Sequence, residues 1–398
     1  MKFKRTRALG NALLPYAIKP VWSCARIRRY FRRSVQNGKR HFDVLLICQN
    51  HVAADHIHPI ISLLHADPEI KLHITNDHFP GREISNSEIR RMAHVKYVNI
   101  LHALTKDWDL ILYVNHPWGF AAWFAPFLKK IYINHGLYAG KINNAHGEDG
   151  VYGRRRTTRP HRGLLYDRMF AASKREQDAA IEANPALAGR VVVTGSLIVD
   201  EMKVDSVDRE STRARLGLQP DDCVVHVVST WGKASLAATM EDTLLAAASN
   251  LGAPYRFLFS LHPRFDKLGG TGKARNEILK RWASKGFEID EANERWRQFV
   301  IASDVAIADH SSLALYHHVL GKPVIYVRVE GKALLHGSPF HLLGKRSRYF
   351  SGDDDLRAVI SEAIAKTDAV SVDIDNLVDH VGNAGVRHLQ EMQKLLRS

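Results

Sequence analysis

Residues 305–327 constrain the fold of this chain most strongly, because two short apolar runs flank a helical pattern there. The first run, Val305 to Ala308, leads into Asp309-His310-Ser311-Ser312, and the second, Val324 to Val327, follows Gly321-Lys322-Pro323. This order predicts a strand, a turn, a helix and a parallel strand. Ligands of open α/β sheets bind at the carboxyl ends of strands, and a helix N-terminus offers N–H groups to an anion, so the turn predicts a phosphate or pyrophosphate site. A plain helix cap by Asp309 or Ser311 is the alternative interpretation.

Strand and helix patterns alternate in two runs along the chain, which predicts parallel sheets with helices on their faces. The predicted strands are His41–Cys48, Ile70–Thr75, Leu110–Val114, Lys130–Ile133, Phe170–Ser173 and Val191–Thr194, then Cys223–Ser229, Tyr255–Ser260 and Phe287–Asp290. The predicted helices include Ala53–His65, Trp118–Leu128, Lys174–Ala183, Ser235–Ser249, Ala274–Lys285, Asn293–Ser303, Asp353–Lys366 and Asp373–Leu396.

We therefore predict an α/β protein with two Rossmann-like domains, at 43–203 and 204–370, and a C-terminal helix at 371–398. The charged stretch Lys203 to Arg213 is the predicted linker. Strand ends that face each other across a cleft suit a nucleotide-activated donor in the second domain and an acceptor in the first.

The basic charge is concentrated in residues 1–42, which contain 12 Lys and Arg residues and no acidic residue. The rest of the chain is nearly neutral, which argues against a nucleic-acid partner. The longest uncharged run, Ala8 to Ile18, is too short to span a bilayer, and no signal-peptide pattern is present. A basic segment with Trp22 and aliphatic residues suits the surface of an anionic membrane. A solvated or disordered arm is the alternative.

The chain has three cysteines, Cys24, Cys48 and Cys223, at scattered positions. Their odd number and wide spacing predict neither a disulfide framework nor a zinc site, and we predict no metal site. A reducing compartment fits this usage best.

Polar clusters follow four of the predicted strands. They are Asn134-His135-Gly136, Thr230-Trp231-Gly232-Lys233, His262-Pro263-Arg264 and Asp309-His310-Ser311-Ser312. Each is weak evidence alone, although Arg suits bidentate binding of phosphate. All four fall on carboxyl ends, so together they predict one site.

These motifs resemble, in content and order, those of the CDP-glycerol glycerophosphotransferase family of teichoic-acid primases, teichoic-acid polymerases and capsule polymerases. The motifs that carry the resemblance are His135-Gly136-Leu137-Tyr138-Ala139-Gly140-Lys141, Val193-Thr194-Gly195, Ser229-Thr230-Trp231, His262-Pro263-Arg264, and Asp309 to Ser312 through Gly321-Lys322-Pro323. The resemblance covers roughly 105–330. It implies a GT-B fold, peripheral attachment at the cytoplasmic face of the plasma membrane, and transfer of a glycerol-phosphate or related unit from a CDP-linked donor to a polyol or sugar hydroxyl, free or membrane-linked.

The resemblance also implies residue roles. His135 is similar to the family's candidate general base, a role that suits the pKa of histidine. His262, Arg264, Ser311 and Ser312 resemble the groups that hold the donor phosphates, where in-line positioning and charge stabilisation matter. The further site candidates are Asp309, His310, Gly136, Lys141, Thr230 and Trp231. The donor is a substrate, and no cofactor is implied.

Two positions depart from the family pattern, which has an Asp where this chain has Tyr316 and a Tyr where it has His310. The contacts with the polyol or ribose of the donor are therefore the part of the site that the sequence constrains least.

Two alternative functions stay open. One is a sugar-nucleotide-dependent GT-B glycosyltransferase, and the other is a non-catalytic, membrane-associated nucleotide-binding protein. The basic segment 143–162, with Arg154-Arg155-Arg156, is interpreted either as a site for a polyanionic acceptor or as a solvated loop.

Overall fold

A computed structural model describes most of the chain from residue 41 onwards. The described residues are 41–48, 51–75, 95–114, 116, 124, 127–134, 136–137, 151–159, 163–263, 265, 274–329, 339–340, 343, 347–366 and 377–398, with the backbone alone for 51–57 and 159. The predicted site residues His135, Lys141 and Arg264 and the basic residues 1–40 lie outside these ranges.

The first sheet has seven strands within the described ranges, in the order β3-β2-β1-β4-β5-β8-β9, and neighbouring strands are parallel. These strands are β1 Phe42–Ile47, β2 Ile70–Thr75, β3 Lys96–Tyr97, β4 Leu110–Tyr113, β5 Lys130–Ile133, β8 Arg168–Ala171 and β9 Val191–Val193. The helices among them are α1 His51–His65, α2 Ile100–Thr105, α3 Arg154–Thr157, α4 Lys174–Ala183 and α5 Leu197–Ser206. A short antiparallel ribbon, β6 Thr158–Arg159 with β7 Gly163–Leu164, follows α3.

The second sheet, in the part of the chain described, has six parallel strands in the order β12-β11-β10-β13-β14-β15. They are β10 Cys223–Ser229, β11 Tyr255–Leu261, β12 Glu288–Ile289, β13 Val305–Ala308, β14 Val324–Val327 and β15 Tyr349–Phe350. The helices of this half are α6 Arg209–Arg215, α7 Leu236–Thr239, α8 Glu241–Ser249, α9 Arg275–Ser284, α10 Trp296–Ala302, α11 Ser312–Val319 and α12 Leu356–Ala365. The last helix, α13 Ala384–Arg397, ends the chain.

The central strands are largely apolar because both faces of each sheet are covered. In β1, Val44 and Leu46 enter one hydrophobic core and Leu45 and Ile47 enter the core on the opposite face. Side chains alternate between faces along a strand, so a continuous apolar run is what a doubly covered parallel strand requires. The predicted α/β architecture with two parallel Rossmann-like sheets is confirmed, and the domain boundaries at 203 and 370 stay predictions.

Several helices are shorter than predicted, for local reasons. The helix predicted from Asn293 begins at Trp296 because Asn293 has a left-handed backbone (φ 58°) and Asp290 accepts the N–H groups of Glu294 and Arg295 in a turn. The helix predicted from Asp373 begins at Ala384, after positive φ values at His380 and Gly382.

Two further helix predictions also differ from the structure. The helix predicted at 235–249 is interrupted at Met240. Most of the helix predicted at 118–128 lies outside the described residues, and the described Phe124, Phe127 and Leu128 lie in turns and bends.

The predicted linker, Lys203 to Arg213, folds as the end of α5 and most of α6. Arg209 and Arg213 form ion pairs with Asp304 and donate to the carbonyl of Ala302, at the end of α10. This stretch is therefore packed on the second sheet. None of the helices described is long and apolar enough to cross a bilayer.

The C-terminal segment returns to the first sheet. Met392 and Leu396 of α13 are buried in the same core as β1. Gly195 of the Thr-Gly motif has φ +81°, and a Cβ there would lie 2.7 Å from the carbonyl oxygen of Asp379. Glycine is required here because of that close approach and the left-handed backbone.

Candidate functional site

Asp309 shapes the carboxyl edge of the second sheet. It is fully buried at the end of β13 and accepts the N–H of Thr230 at 3.0 and 3.1 Å, the N–H of Leu236 at 2.9 Å and the hydroxyl of Ser229 at 3.4 Å. These bonds fold residues 230–236 against the sheet. The carboxylate therefore supports the site through the loop that it closes.

Trp231 and His262 lie side by side at this edge. Trp231 is carried by the loop that Asp309 holds, and its ring meets the ring of His262 edge-on at 6.4 Å between centroids. The backbone N–H of His262 donates to the carbonyl of Ser229 at 3.1 Å, which fixes the end of β11 beside the end of β10. Both side chains are partly exposed, so the structure brings two of the predicted residues together at an accessible edge.

The turn after β13 begins an eight-residue helix. Ser311 has an extended backbone, and its hydroxyl caps α11 by accepting the N–H of Leu313 at 3.4 Å. His310 and Ser311 are buried, and Ser312 is half-buried as the first helical residue. The cap interpretation is thus correct for Ser311. The backbone N–H groups in the first turn of α11, which begins at Ser312, lie at the positive end of the helix dipole, where an anion is favoured.

The loop that contains the predicted base His135 follows β5, and its neighbours Asn134, Gly136 and Leu137 are described. The amide of Asn134 donates to the carboxylate of Glu176 at 3.2 Å. Glu176 is fully buried and also accepts the hydroxyl of Tyr152 and the N–H of Ala172, while burial raises its pKa. The start of this loop is therefore tied to the interior of the first sheet.

Tyr316 contacts the other end of the same loop. It lies on α11, one turn after Ser312, and is 1% exposed, with its ring 5.3 Å from that of Trp296. Its side chain is buried in the same core as that of Leu137, and a Cβ added at Gly136 would lie 3.9 Å from the hydroxyl oxygen. Burial raises the pKa of Tyr316 and keeps the phenol neutral. Gly136 and Leu137, which follow β5 of the first sheet, therefore lie beside α11 of the second half.

The sequence did not indicate Glu176 or the contact made by Tyr316. Ser173 and Glu176 have the spacing of a capping box, which would have placed the glutamate at the start of α4. That spacing does not reveal that its carboxylate binds Asn134 and Tyr152, both distant in the sequence.

Other residues near the motifs are structural. Lys322 donates to the carbonyls of Val300 at 2.7 Å, Ile301 at 2.5 Å and Ser303 at 2.7 Å, which caps the C-terminal end of α10. His317 bonds to Ser303 at 3.1 Å in the interior of the same half, and burial lowers its pKa to about 3. The Lys of the Gly-Lys-Pro motif therefore stabilises a helix end.

The basic triplet lies on α3. Arg154 and Arg155 are exposed, whereas Arg156 is partly buried near Tyr132 and Tyr166, and desolvation lowers its pKa. Two of the three arginine side chains of this triplet therefore face solvent.

In the described part of the chain, no three His, Cys, Asp or Glu side chains form a group that could hold a metal ion.

The sequence of the chain matches the model of a known protein family. The model of the CDP-Glycerol:Poly(glycerophosphate) glycerophosphotransferase family matches residues 87–333, which is more than half of the chain. The chain belongs to this glycerophosphotransferase family. Membership indicates a transferase with a nucleotide-activated donor and a hydroxyl acceptor.

Solved structures with the same fold include relatives of several activities. A UDP-GlcNAc 2-epimerase from Neisseria meningitidis bound to UDP-GlcNAc has a TM-score of 0.60 and 16% identity, covering 88% of this chain and 100% of that chain. The wall teichoic acid polymerase TagF has a TM-score of 0.59 and 13% identity, over 89% and 88%. Anabaena Alr3699/HepE in complex with UDP and glucose has a TM-score of 0.53 and 12% identity, over 89% and 99%.

These similarities show that the glycerophosphotransferase-family chain has a GT-B-like fold, as predicted. A comparison with curated proteins gave no match.

Proposed function

We propose that this protein transfers a glycerol-phosphate or related polyol-phosphate unit from a CDP-activated donor to a hydroxyl acceptor, in the synthesis of a cell-wall or capsule polymer. One observation carries the proposal: Gly136 and Leu137, which follow the predicted base His135 in the sequence, lie beside Tyr316 on α11, the helix that begins at Ser312. We infer from this contact that a base at His135 and an anion-binding turn at Ser311-Ser312 act on one donor.

The chemistry follows from this placement. The acceptor hydroxyl attacks the phosphorus that bears the polyol, its proton passes to His135, and the bond from that phosphorus to the CMP oxygen breaks. A new phosphodiester forms and CMP leaves, so atoms and charge balance without a covalent enzyme intermediate. His262, Arg264, the hydroxyl of Ser312 and the first-turn N–H groups of α11 would stabilise charge on the non-bridging oxygens.

The remaining candidates have supporting roles in this scheme. Asp309 orders the loop that carries Thr230 and Trp231, and Gly136 lies beside the hydroxyl of Tyr316. We assign no contact with the donor to His310 or Lys141.

The second candidate function is transfer of a sugar from a UDP-sugar. It is favoured by Tyr316, which places a neutral, buried phenol where the family pattern has an acid. In that reaction the acceptor would attack the anomeric carbon and release UDP. The nucleotide product therefore distinguishes the two candidates.

We also propose that the protein acts at the cytoplasmic face of the plasma membrane, held by residues 1–42. The support is the charge pattern, with 12 basic residues and no acidic residue in that segment. A membrane-linked acceptor would be brought to the cleft by such attachment.

The test of the proposed function is a panel of donors with the full-length protein. CDP-glycerol, CDP-ribitol and UDP-sugars are incubated separately, and the released nucleotide is identified by chromatography. CMP from a CDP-polyol supports the proposal. Turnover of a UDP-sugar with no CMP from any CDP-polyol would replace it with the second candidate.

A further inference from the structure

A cavity opens at the carboxyl ends of β5 and β8 in the first half of the molecule. Its volume is about 430 Å³, part of which is open solvent, so the enclosed part suits a single small unit. The polar residues on its wall are Asn134, Glu176, Ser196 and His388, and the other lining residues are apolar or glycine. No Lys or Arg of the described residues lines it. Because anions are bound in proteins mainly by such cations, the cavity suits a neutral ligand.

His388 on α13 offers the cavity a hydrogen-bond acceptor. The residue is 2% exposed, and its Nδ1 bonds to the carbonyl oxygen of Ala384 at 2.8 Å. A carbonyl can only accept, so Nδ1 carries the proton and Nε2 of the neutral ring keeps its lone pair. Burial lowers the pKa of His388 to about 4, which keeps the ring neutral at pH 7. Nε2 has no hydrogen-bond partner among the described residues, so a ligand hydroxyl can donate to it.

Asn134 and Ser196 add a second acceptor and a donor. The amide nitrogen of Asn134 donates to Glu176 at 3.2 Å, which leaves the amide oxygen to accept. The hydroxyl oxygen of Ser196 accepts the N–H of Val199 at 3.5 Å, which leaves the hydroxyl proton to donate. A hydroxyl both donates and accepts hydrogen bonds, so this set of groups is complementary to a molecule with several hydroxyls.

The position of His388 is fixed by the packing of α13 on the first half. Asp200 of α5 accepts the N–H groups of Gly382 at 2.6 Å and Ala384 at 2.9 Å, which holds the start of the helix. The ring of Phe170, at the end of β8, meets the imidazole edge-on at 4.9 Å between centroids. The acceptor at Nε2 is therefore held in place before any ligand binds, which reduces the entropy cost of binding.

We propose that this cavity is the subsite for the acceptor, and that it binds a neutral, hydroxyl-bearing polyol or sugar unit that donates a hydrogen bond to His388. The proposal rests on the proposed function in that the bound unit is the hydroxyl acceptor of the transfer. Gly136, which follows the predicted base in the sequence, lines the same cavity. The nucleotide donor is excluded as the occupant, because its phosphates would meet no cation on this wall.

Two variants change the cavity in independent ways. In His388→Asn, the shorter amide can keep the bond to Ala384 while the group at Nε2 is lost. Ala172→Leu fills the cavity from the end of β8 and leaves α13 unchanged, so it tests the site even if His388→Asn is destabilised. The matched controls are His102→Asn and Ala186→Leu, both at exposed positions.

The first test measures binding of the acceptor without a donor. Saturation-transfer difference NMR is recorded with ribitol and with glycerol for the wild type, the two cavity variants and the two controls. We expect binding to the wild type and both controls, a loss of about 5-fold or more in His388→Asn, the worth of one hydrogen bond, and a larger loss in Ala172→Leu. Absence of polyol binding to the wild type, or wild-type binding in either cavity variant, would overturn the proposal.

The second test is kinetic and uses whichever nucleotide donor the wild type turns over. We expect His388→Asn to raise the KM of the polyol acceptor by about 5-fold or more and to leave the donor KM unchanged within about 2-fold. His388→Gln, whose amide reaches the position of Nε2, should restore part of the loss, which a purely structural role would not predict. A rise in the donor KM in place of the acceptor KM would contradict an acceptor subsite.

The two tests separate failure of this inference from failure of the proposed function. If the wild type binds a polyol in the cavity but releases neither CMP nor UDP from any donor, the proposed function fails and the cavity remains a polyol site. If CMP is released but polyol binding and the acceptor KM are the same in Ala172→Leu and the wild type, the proposed function stands and the assignment of the cavity is wrong.

Discussion

The side chain of Tyr316 is buried in one core with that of Leu137, although the two residues belong to different halves of the molecule. This contact places Gly136 and Leu137, which follow the predicted base in the sequence, beside the helix that begins at Ser312. The proposed function requires the predicted base, His135, and the predicted anion-binding turn, Ser311-Ser312, to act together at this contact.

Replacement of His135 tests the base directly. We expect His135→Ala to lower the transfer rate by about 100-fold or more, since general-base catalysis contributes about 100- to 10,000-fold. The Kd of the donor, measured by calorimetry, should change less than 3-fold. His65→Ala, at an exposed site on α1, is the control. A large loss of donor affinity in His135→Ala would instead assign this residue to donor binding.

Asp309 should matter for stability as well as for activity. In Asp309→Ala, the buried N–H groups of Thr230 and Leu236 lose their acceptor, which costs about 1–3 kcal/mol for each unsatisfied group. We expect a lower denaturation midpoint in urea and weaker donor binding, because the loop with Trp231 is released.

The control for this change is Asp353→Ala, at an exposed position, which should leave both quantities unchanged. Weaker donor binding with an unchanged midpoint in Asp309→Ala would indicate that the carboxylate touches the donor instead of the loop.

The alternation of strand and helix patterns predicted the two sheets, because short apolar runs between helical patterns are typical of parallel strands that are buried on both faces. The polar clusters were predicted to lie near one another, because the carboxyl ends of parallel strands meet at one edge of the sheet. The contact between Tyr316 and Leu137 could not be predicted in this way. It depends on how two halves of the chain pack, and residues 179 positions apart carry no local signal of each other.

The Gly-Lys-Pro motif shows a different limit. Its spacing marked the end of a helix correctly, but the target of Lys322 is the end of another helix, α10. Similarly, Asp309 was grouped with the phosphate-binding serines because it is adjacent in sequence. Its buried oxygens face loop N–H groups, which only the packed structure reveals.

The buried histidines predict loss of stability in acid. Burial lowers the pKa of His388 to about 4, below the unfolded value of about 6.5. The unfolded chain therefore binds more protons between pH 6.5 and 4, and stability that is present above pH 6.5 is lost as the pH falls through this window. Each such group contributes a slope of up to about 1.4 kcal/mol per pH unit.

His388→Gln should reduce that slope by about one proton in urea denaturation measured from pH 7 to pH 4. Leu101→Gln, at an exposed position that does not titrate, is the control and should keep the wild-type slope. An unchanged slope in His388→Gln would show that His388 does not titrate differently in the folded and unfolded states.

Membrane attachment is predicted to depend on the basic segment. Deletion of residues 1–40 should abolish sedimentation with anionic liposomes and leave the circular dichroism spectrum of the folded part unchanged. Each Lys or Arg near an anionic surface contributes about 1 kcal/mol, so binding of the full chain should weaken strongly with salt. Continued sedimentation of the shortened chain would place the membrane contact elsewhere.

The most direct measurement is the stoichiometry of the transfer itself. The full-length protein is incubated with a CDP-polyol, a polyol acceptor and anionic liposomes, and CMP and acceptor-linked polyol phosphate are quantified together by chromatography and mass spectrometry. We predict equal amounts of the two products, both lost in His135→Ala. No CMP from any CDP-polyol, with UDP released from a UDP-sugar under the same conditions, would contradict the proposed function.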